Sequence, residues 1–205
     1  MRKQRNAEDT KERVLAAARE LFAERGFNGT PLALISQKSG ISDGLILHHF
    51  ETKEALYRQV LEDLAGRYGR ELAQAQPGGG SPAEVMQQTL AASFNFWKHD
   101  TTYQRISLWA SLEGRTELAD QEAALTAALV RQVEALQAQG FIDDRFSPTV
   151  FLTMIIGPIH FWLRYRDQFK AALNLPETPD DMDQIFLEQL TSLVREMSQK
   201  TSISK

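Results

Sequence analysis

The sequence predicts an all-α fold, and three observations support that class. Apolar residues recur three or four positions apart in most segments, which is the period of an amphipathic helix. No segment alternates apolar and polar residues in the manner of a half-buried strand. Proline and glycine cluster between the periodic segments, as in PGGGSP at 77–82 and LPETPDD at 175–181. These clusters mark where helices are expected to end.

The composition is that of a globular chain. Hydrophobic residues make up 42% of it and charged residues 24%. A formal net charge of -4 argues against a protein that coats nucleic acid nonspecifically, although residues 1–60 carry two more basic than acidic side chains. The absence of cysteine excludes disulfides and thiolate metal sites. Residues 1–10 lack the apolar core of a signal peptide, and no segment is long enough to span a bilayer, so we expect a cytoplasmic protein without membrane contacts.

The first helix is predicted to end at Gly26. Its apolar face is formed by Val14, Leu15, Ala18, Leu21 and Phe22. Asp9 or Thr10 is expected to cap its start, with Asp9 and Glu12 in the spacing of a capping box. A basic segment, Arg2, Lys3 and Arg5, precedes this cap. This segment could bind DNA phosphates or enter a minor groove. The alternative is that it is a frayed terminus exposed to solvent.

Residues 32–50 predict two short helices joined by a tight turn. Thr30 is placed to cap the first helix, with Pro31 in its first turn; Gly40 would end that helix, and Ser42 would cap the next. Three apolar residues are spaced to pack inward: Ile41, Ile46 and Phe50. The side chains left at or near the surface are Asp43, Gly44, Leu45, Leu47, His48 and His49. This is the pattern of a helix-turn-helix, although an ordinary αα-corner shares it.

The flanking segments favour the first of these readings. From Lys11 to Leu64 the chain resembles the DNA-binding domain of the TetR family of transcriptional regulators, especially in AARELFAERGF, ISQKSGIS and HHFETKEAL. The resemblance implies an N-terminal three-helix helix-turn-helix DNA-binding domain at 8–68, with the helix-turn-helix at about 32–51. It also implies a C-terminal helical ligand-binding and dimerisation domain at 69–205. The partners expected are double-stranded operator DNA, a small-molecule effector and a second copy of the chain.

The outward side chains and the positions that match the family together give the candidate DNA contacts. They are Thr30, Lys38, Ser42, Asp43, Gly44, Leu45, Leu47, His48, His49 and Lys53. At the positions of Asp43, Leu45 and Leu47 the family often carries Lys, Thr and Tyr. We therefore expect base contacts to replace some phosphate contacts here, since a carboxylate accepts from cytosine N4 and leucines contact thymine methyls. The alternative for Asp43 is that it only stabilises the helix N-terminus.

Beyond the first 50 residues, six further helices are predicted. They are expected from Thr52 to about Ala75, over 82–100, 101–114 and 117–140, from Pro148 to about Leu173 with a kink near Gly157 and Pro158, and over 179–198. The resemblance implies that the last two pair with their two-fold mates as a four-helix interface. The candidate interface residues are Gly157, Phe186, Leu190, Leu193 and Met197. The alternative is that both helices serve only the core of a monomer.

Aromatic residues concentrate in the C-terminal part, where the family fold implies a ligand cavity. The candidate lining residues are Phe94, Trp97, Trp109, Phe151, Met154, His160, Phe161, Trp162 and Tyr165. The alternative for each is plain core. An apolar or aromatic effector is expected from this composition.

The sequence offers no candidate residues for an enzyme. The Glu-x-x-His pairs of helical di-metal sites, phosphate-binding glycine loops, zinc-protease motifs and nucleophile elbows do not occur. His48 and His49 point about 100 degrees apart on a helix, which is poor geometry for one metal. We therefore expect a DNA-binding regulator rather than an enzyme. The alternative is a dimeric ligand- or protein-binding module with weakened DNA recognition. Neither requires a metal or a cofactor.

Overall fold

The computed structural model describes residues 2–75, 80–115 and 120–198. Within these ranges the chain forms nine α-helices and no strand, which confirms the predicted all-α class. The helices are α1 (Arg2–Arg25), α2 (Leu32–Ser39), α3 (Asp43–Phe50), α4 (Lys53–Gln74), α5 (Pro82–His99), α6 (Thr101–Leu112), α7 (Asp120–Ala138), α8 (Pro148–Leu173) and α9 (Pro179–Ser198). No helix in these ranges is both long and apolar enough to cross a membrane.

Most helix ends fall where turn chemistry places them. Gly26 and Gly40 adopt φ values of 70° and 69°, the left-handed conformation that glycine accepts without a Cβ clash. Ser42 occupies the N-cap position of α3, although its hydroxyl makes no capping hydrogen bond. Thr52 caps α4, since its Oγ1 accepts a hydrogen bond from the Ala55 N–H at 3.0 Å.

The predicted start of the first helix is wrong. Helix α1 begins at Arg2 rather than after a cap at Asp9 or Thr10, because residues 2–12 contain no proline or glycine and consist mainly of good helix formers. The side chains of Arg2, Lys3 and Arg5, the proposed basic arm, lie outside the described residues. So do residues 77–79 of the predicted break and residues 117–119 at the predicted start of α7.

Among the described residues, those of 2–67, 100–115 and 120–123 form one compact unit. In it, α1 packs against α2, α3 and α6. The core of this unit is made of fully buried apolar side chains, including Val14, Phe22, Ile35, Ile46 and Leu56. Because Ile46 is one of them, the short helix α3 is held by its inner face while its outer face stays in solvent.

The described residues of 68–75, 80–99 and 124–198 form the second compact unit. Helices α5, α8 and α9 pack on one another there, around buried side chains that include Phe94, Phe151, Ile159 and Val194. Helix α8 continues through Gly157 and Pro158 as a single element. The two units are not successive segments of the chain, because α6 belongs to the first unit although α5 and most of α7 belong to the second.

Candidate DNA-recognition surface and ligand cavity

Helix α3 presents a continuous exposed face built from small, acidic, apolar and imidazole side chains. Ser42, Asp43, Gly44, Leu45, Leu47 and His48 are exposed, and His49 is half-buried. The inward residues Ile41, Ile46 and Phe50 are buried, as the spacing predicts. Leu45 and Leu47 are 40% and 41% exposed on a helix of only eight residues, so this face offers apolar contacts to a partner.

The turn before α3 is fixed from two sides. Arg13 Nη2 donates to the Ser39 carbonyl oxygen at 2.6 Å, and Ser39 Oγ accepts from the Ile41 N–H at 3.3 Å. After α3, Glu51 adopts a φ of 65°, which is rare for a residue with a side chain. A short helix whose two ends are both constrained presents its outer face with little freedom to reorient.

The two candidate lysines lie near this surface but already have partners. Lys38 Nζ pairs with Glu20 Oε2 at 2.6 Å, and this hydrogen bond raises the pKa of Lys38. Lys53 Nζ lies 4.1 Å from the centre of the Phe27 ring, and partial burial lowers its pKa. Lys53 begins α4, so its ammonium and the helix N-terminus both favour a phosphate at this point.

Thr30 is the exception among the candidate DNA contacts. Its side chain is 0% exposed, and its hydroxyl donates within the first unit toward the carbonyl oxygens of Leu21 at 3.2 Å and Gly26 at 2.7 Å. The N-cap position of α2 is Pro31. The structure therefore corrects the assignment of Thr30 to a helix cap and to the DNA surface, because its hydroxyl ties the end of α1 to the following turn.

Helix α6 contacts the end of α1 through hydrogen bonds. The Glu113 carboxylate accepts from the backbone N–H groups of Phe27 at 3.1 Å and Asn28 at 2.9 Å, and Arg105 Nε donates to the Ala23 carbonyl oxygen at 2.8 Å. The Trp109 ring lies so close that a Cβ on Gly26 would come within 3.0 Å of it. Trp109, a candidate for the ligand pocket, thus lies in the first unit.

The second unit contains a cavity of about 70 Å³ among α4, α5, α7 and α8. Its wall consists of apolar side chains with a few neutral polar ones: Tyr68, Leu72, Met86, Thr89, Leu90, Ser93, Leu129, Gln132, Val133, Leu136, Ile142, Phe151, Leu152, Ile155 and Ile156. Among these lining residues there is no ionisable group other than the phenol of Tyr68.

Tyr68 and Ser93 supply a hydroxyl pair on this wall. Tyr68 Oη lies 2.8 Å from Ser93 Oγ, and the two residues are 6% and 4% exposed. Burial raises the pKa of Tyr68, and hydrogen bonds from Ser93 and Trp97 act in the opposite direction. The phenol is therefore neutral at physiological pH and remains available for hydrogen bonding.

Of the candidate pocket residues, Phe151 lies on the cavity wall. Four others belong to an aromatic core: Trp97 has its ring 4.3 Å from that of His160, and Phe186 lies between Phe94 and Trp162. Met154 and Phe161 are exposed, with Tyr165 beside Phe161 at 4.8 Å between ring centroids. These side chains do not line the cavity because they lie on other faces of α5 and α8.

Most residues that line the cavity are aliphatic, and their sequence pattern is a helical periodicity rather than a concentration of aromatic side chains. Met86, Leu90 and Ser93 recur at positions i, i+4 and i+7 of α5, and Leu129, Val133 and Leu136 do so on α7. Each set lies on one helix face. The signal identifies faces that pack inward, but it does not show which inward faces leave a space between them.

Near the cavity-bearing helices, Asp183 of α9 forms a buried ionic cluster. It is 3% exposed, accepts from Trp162 Nε1 at 2.9 Å, and pairs with Lys98 Nζ at 2.9 Å and with Arg166 Nη1. Burial raises the pKa of Asp183, but the hydrogen bonds from Arg166, Lys98 and Trp162 outweigh burial and leave its pKa lowered. This carboxylate fixes α9 against α5 and α8.

The candidate interface residues fall into two groups. Leu190 is 5% exposed and Phe186 stacks on Trp162 at 4.8 Å between ring centroids, so both contribute to the core of the second unit. Leu193 is 53% exposed, and Gly157 is exposed with no atom within 4 Å of a Cβ placed on it. Met197 is half-buried. Further exposed apolar side chains on α8 and α9 are Val150, Met154, Phe161, Phe169, Leu173 and Ile185.

An exposed helix after a tight turn, in a chain that also has a helical unit with an apolar cavity, is typical of helix-turn-helix transcription regulators. Comparison with known families agrees. Residues 14–60 match the family described as "Bacterial regulatory proteins, tetR family", and residues 89–189 match "Tetracyclin repressor-like, C-terminal domain". The chain belongs to the TetR family of transcriptional regulators.

Individual relatives support the same assignment over different lengths. The transcriptional regulator UidR of Escherichia coli K12 is 41% identical over 58 residues, which is 28% of this chain and 30% of UidR. The chain thus matches less than a third of the length of that relative. The transcriptional repressor BepR of Brucella suis is 23% identical over 186 residues, 82% of this chain and 87% of BepR.

Solved structures extend the likeness to almost the whole chain. The crystal structure of SCO4942 from Streptomyces coelicolor has a TM-score of 0.68 and 26% identity, covering 92% of this chain and 97% of that one. A tetR family structure from Shewanella has a TM-score of 0.71 at 16% identity, which shows the fold. The chain therefore has the fold of this family over most of its length.

Proposed function

We propose that this regulator is a ligand-responsive repressor that binds a pseudo-palindromic operator as a homodimer and leaves it when a small apolar or aromatic effector binds. The observation that carries the proposal is the outer face of α3, which exposes Leu45 and Leu47 beside Asp43, Ser42 and His48. Such a face offers base-edge contacts rather than a strip of cations. Two copies would place their α3 helices in successive major grooves, roughly 34–36 Å apart.

The DNA contacts in this proposal come from α3 and its flanks. They are Ser42, Asp43, Gly44, Leu45, Leu47, His48 and His49, with Lys38 and Lys53 at the edges. Lys38 would exchange its partner Glu20 for a phosphate. Lys53 lies at the start of α4, where the helix N-terminus also attracts a phosphate. Thr30 has no part in it, since its hydroxyl is buried.

The effector response needs a site that is separate from the DNA surface. The cavity lined by Tyr68, Ser93 and Phe151 lies in the second unit and suits that role. An effector shifts DNA affinity only by its differential affinity for two conformers of the protein. The cavity is small in this conformer, so an effector that widens it favours a different one.

Selection of bound fragments from genomic DNA by the full-length protein tests the regulator directly. We expect enrichment of a short pseudo-palindrome, with affinity that falls as salt rises. The same selection discriminates the second hypothesis, a dimeric ligand- or protein-binding module with weakened DNA recognition, which the exposed Asp43 carboxylate favours. Salt-sensitive binding without any enriched sequence would contradict the repressor and support that module.

A further inference from the structure

The cavity wall in the second unit has a chemistry that restricts its ligand. Most of its atoms belong to aliphatic side chains such as Leu90, Ile142 and Ile155. Its polar members are Tyr68, Ser93, Thr89 and Gln132, all neutral. An ion brought from water into such a wall loses its hydration without gaining a counter-charge, which costs several kcal/mol. The wall therefore selects against carboxylates and ammonium groups.

The hydroxyl pair of Tyr68 and Ser93 provides the wall's specific contact. Two hydroxyls have two O–H donors, and their 2.8 Å mutual hydrogen bond uses one of them. Thr89, by contrast, donates its hydroxyl proton to the Val85 carbonyl oxygen of its own helix at 2.8 Å. The remaining O–H of the Tyr68 and Ser93 pair suits an acceptor atom on a ligand.

We propose that the cavity binds an uncharged, mainly aliphatic ligand that carries one hydroxyl or carbonyl oxygen, with that oxygen on the hydroxyl pair of Tyr68 and Ser93. This inference rests on the proposed function in taking the cavity as the effector site, and it goes further by naming the chemical class. Gln132 lies on the same wall and adds an amide to the polar end. A hydrocarbon without an oxygen cannot accept a hydrogen bond from this pair, and an ion finds no opposite charge on the wall.

The size of the cavity sets a further condition. About 70 Å³ holds only part of a ligand, since a cavity that binds benzene measures on the order of 150 Å³. Side chains on the wall must therefore move when a ligand binds. Met86 is the most adaptable of them, because methionine has three rotatable bonds and no branch. The cost of widening is the same for ligands of equal length, so it cancels when such ligands are compared.

Three probes of equal chain length isolate the polar group: hexanol, hexanoate and hexylammonium. Each is titrated into the full-length protein while the methyl signals of Ile142, Ile155 and Met86 are followed by NMR. We expect hexanol to shift these signals saturably, and the two ions to bind at least about tenfold more weakly, because an uncompensated buried charge costs more than 1.4 kcal/mol. Equal or tighter binding of hexanoate or hexylammonium would overturn the proposal, as would the absence of any shift with hexanol.

Tyr68→Phe removes the phenolic hydroxyl while keeping the ring that packs on Phe96 at 4.8 Å. It should weaken hexanol binding by about three- to tenfold, the effect of one hydrogen bond. Tyr57→Phe is the matched control, because Tyr57 is also buried but lies in the first unit. Should Tyr68→Phe fail to fold, Ser93→Ala tests the same pair. Unchanged hexanol binding in a folded variant would overturn the role of the hydroxyl pair.

Operator affinity measured with and without saturating hexanol separates this inference from the proposed function. A filled cavity with unchanged operator affinity supports the ligand class and counts against the cavity as an effector site. In another outcome, hexanoate binds in the cavity with an affinity equal to that of hexanol and releases the operator. That result would leave the effector role of the cavity intact but overturn the proposed ligand class.

Discussion

Single side chains on the recognition surface show how burial decides a role that residue type leaves open. Thr30 and Ser42 both carry hydroxyls beside short helices, and the sequence treats them alike. In the structure Thr30 is fully buried with both its acceptors on the backbone, whereas Ser42 is exposed before α3. The distinction depends on how α1 packs beneath the turn, which is a long-range property.

Substitution of Asp43 is the most direct test of the proposed DNA contacts. Asp43 is exposed in the first turn of α3, where its charge suits the helix dipole but opposes a polyanion. Asp43→Lys should raise the affinity for arbitrary DNA. It should therefore reduce the ratio of operator affinity to the affinity for arbitrary DNA. It should also steepen the salt dependence by about one unit per added phosphate contact in each subunit. Titrations at several salt concentrations with operator and scrambled duplexes measure both effects.

The matched control is Asp144→Lys, which makes the same change of charge at an exposed position in the second unit. It should leave the salt slope for short duplexes unchanged. If both variants alter DNA binding equally, the effect reflects net charge alone and Asp43 does not contact DNA.

His160 makes one prediction about pH. Burial lowers its pKa below the ordinary value of 6.5, so the folded protein holds the ring neutral where the unfolded chain protonates it. The stability due to His160 is therefore complete above about pH 6.5 and is lost as the pH falls from there through the lowered pKa. Urea unfolding at about pH 7.5 and about pH 5.5 should show a smaller loss in His160→Gln than in the wild type.

His48→Gln is the control for that measurement, because His48 is exposed on α3. A wild-type protein and a His160→Gln variant that lose equal stability between the two pH values would show that His160 is not held neutral.

At the scale of the helices, α9 depends on one buried carboxylate. Lys98 pairs with Asp180 at 2.7 Å and with Asp183 at 2.9 Å, but Asp180 is 85% exposed and Asp183 only 3%. Asp183→Ala leaves Lys98 and Arg166 partly buried without their shared partner, and should reduce the free energy of unfolding by about 3 kcal/mol. Asp180→Ala should cost about 0–1 kcal/mol, since solvent screens an exposed pair. Urea denaturation of both variants at neutral pH makes the comparison, and equal losses would contradict it.

The helices themselves were largely predictable from the sequence. Gly26, Gly40, Pro148 and Pro179 act locally, through φ and the missing N–H, and the helices end or begin beside them. The start of α1 was not predictable in this way, because a capping box at Asp9 competes with an uninterrupted run of helix formers and here the run prevails. Local chemistry therefore fixes helix ends wherever it is unopposed.

The cavity could not be predicted because it is a property of several helices at once. Aromatic content suggested Trp97, Phe161 and Trp162, but the space lies between aliphatic faces of α5, α7 and α8. Periodicity shows that Leu90 and Val133 point inward. It does not show that the side chains opposite them fail to fill the gap.

At the scale of the whole molecule, chain connectivity links the two units. Helix α4 runs from the first unit into the second between Arg67 and Tyr68. Arg67 pairs with Asp100 at 2.9 Å in the first unit, and the next residue, Tyr68, lines the cavity in the second. The apolar periodicity of this segment predicts a helix, but it does not show that consecutive residues belong to separate units.

The second unit also exposes an apolar surface that a monomer leaves uncovered. On α8, Val150, Met154, Phe161, Phe169 and Leu173 are 39–65% exposed, and Gly157 lies among them. Exposed apolar side chains that recur along one helix in this way favour an interaction site. A second copy of the chain is the partner proposed for it, with α8 and α9 of each copy contributing.

Phe161→Glu tests that homodimer at a position where the monomer tolerates a charge. Phe161 is 56% exposed, so the carboxylate stays in water in the free chain but would be buried unpaired between two copies. Sedimentation at micromolar concentration should show a monomer, and the circular dichroism of that monomer should keep its helical content. Gly157→Ala provides a second test, since no atom of the free chain lies within 4 Å of a Cβ placed there, and a closely packed second copy would meet that methyl group. Phe141→Glu, 43% exposed outside α8 and α9, is the control and should remain dimeric. Leu190→Glu is unsuitable, because Leu190 is 5% exposed and its replacement would unfold the monomer. If Phe161→Glu and Gly157→Ala both sediment as the wild type does, α8 is not the dimer surface.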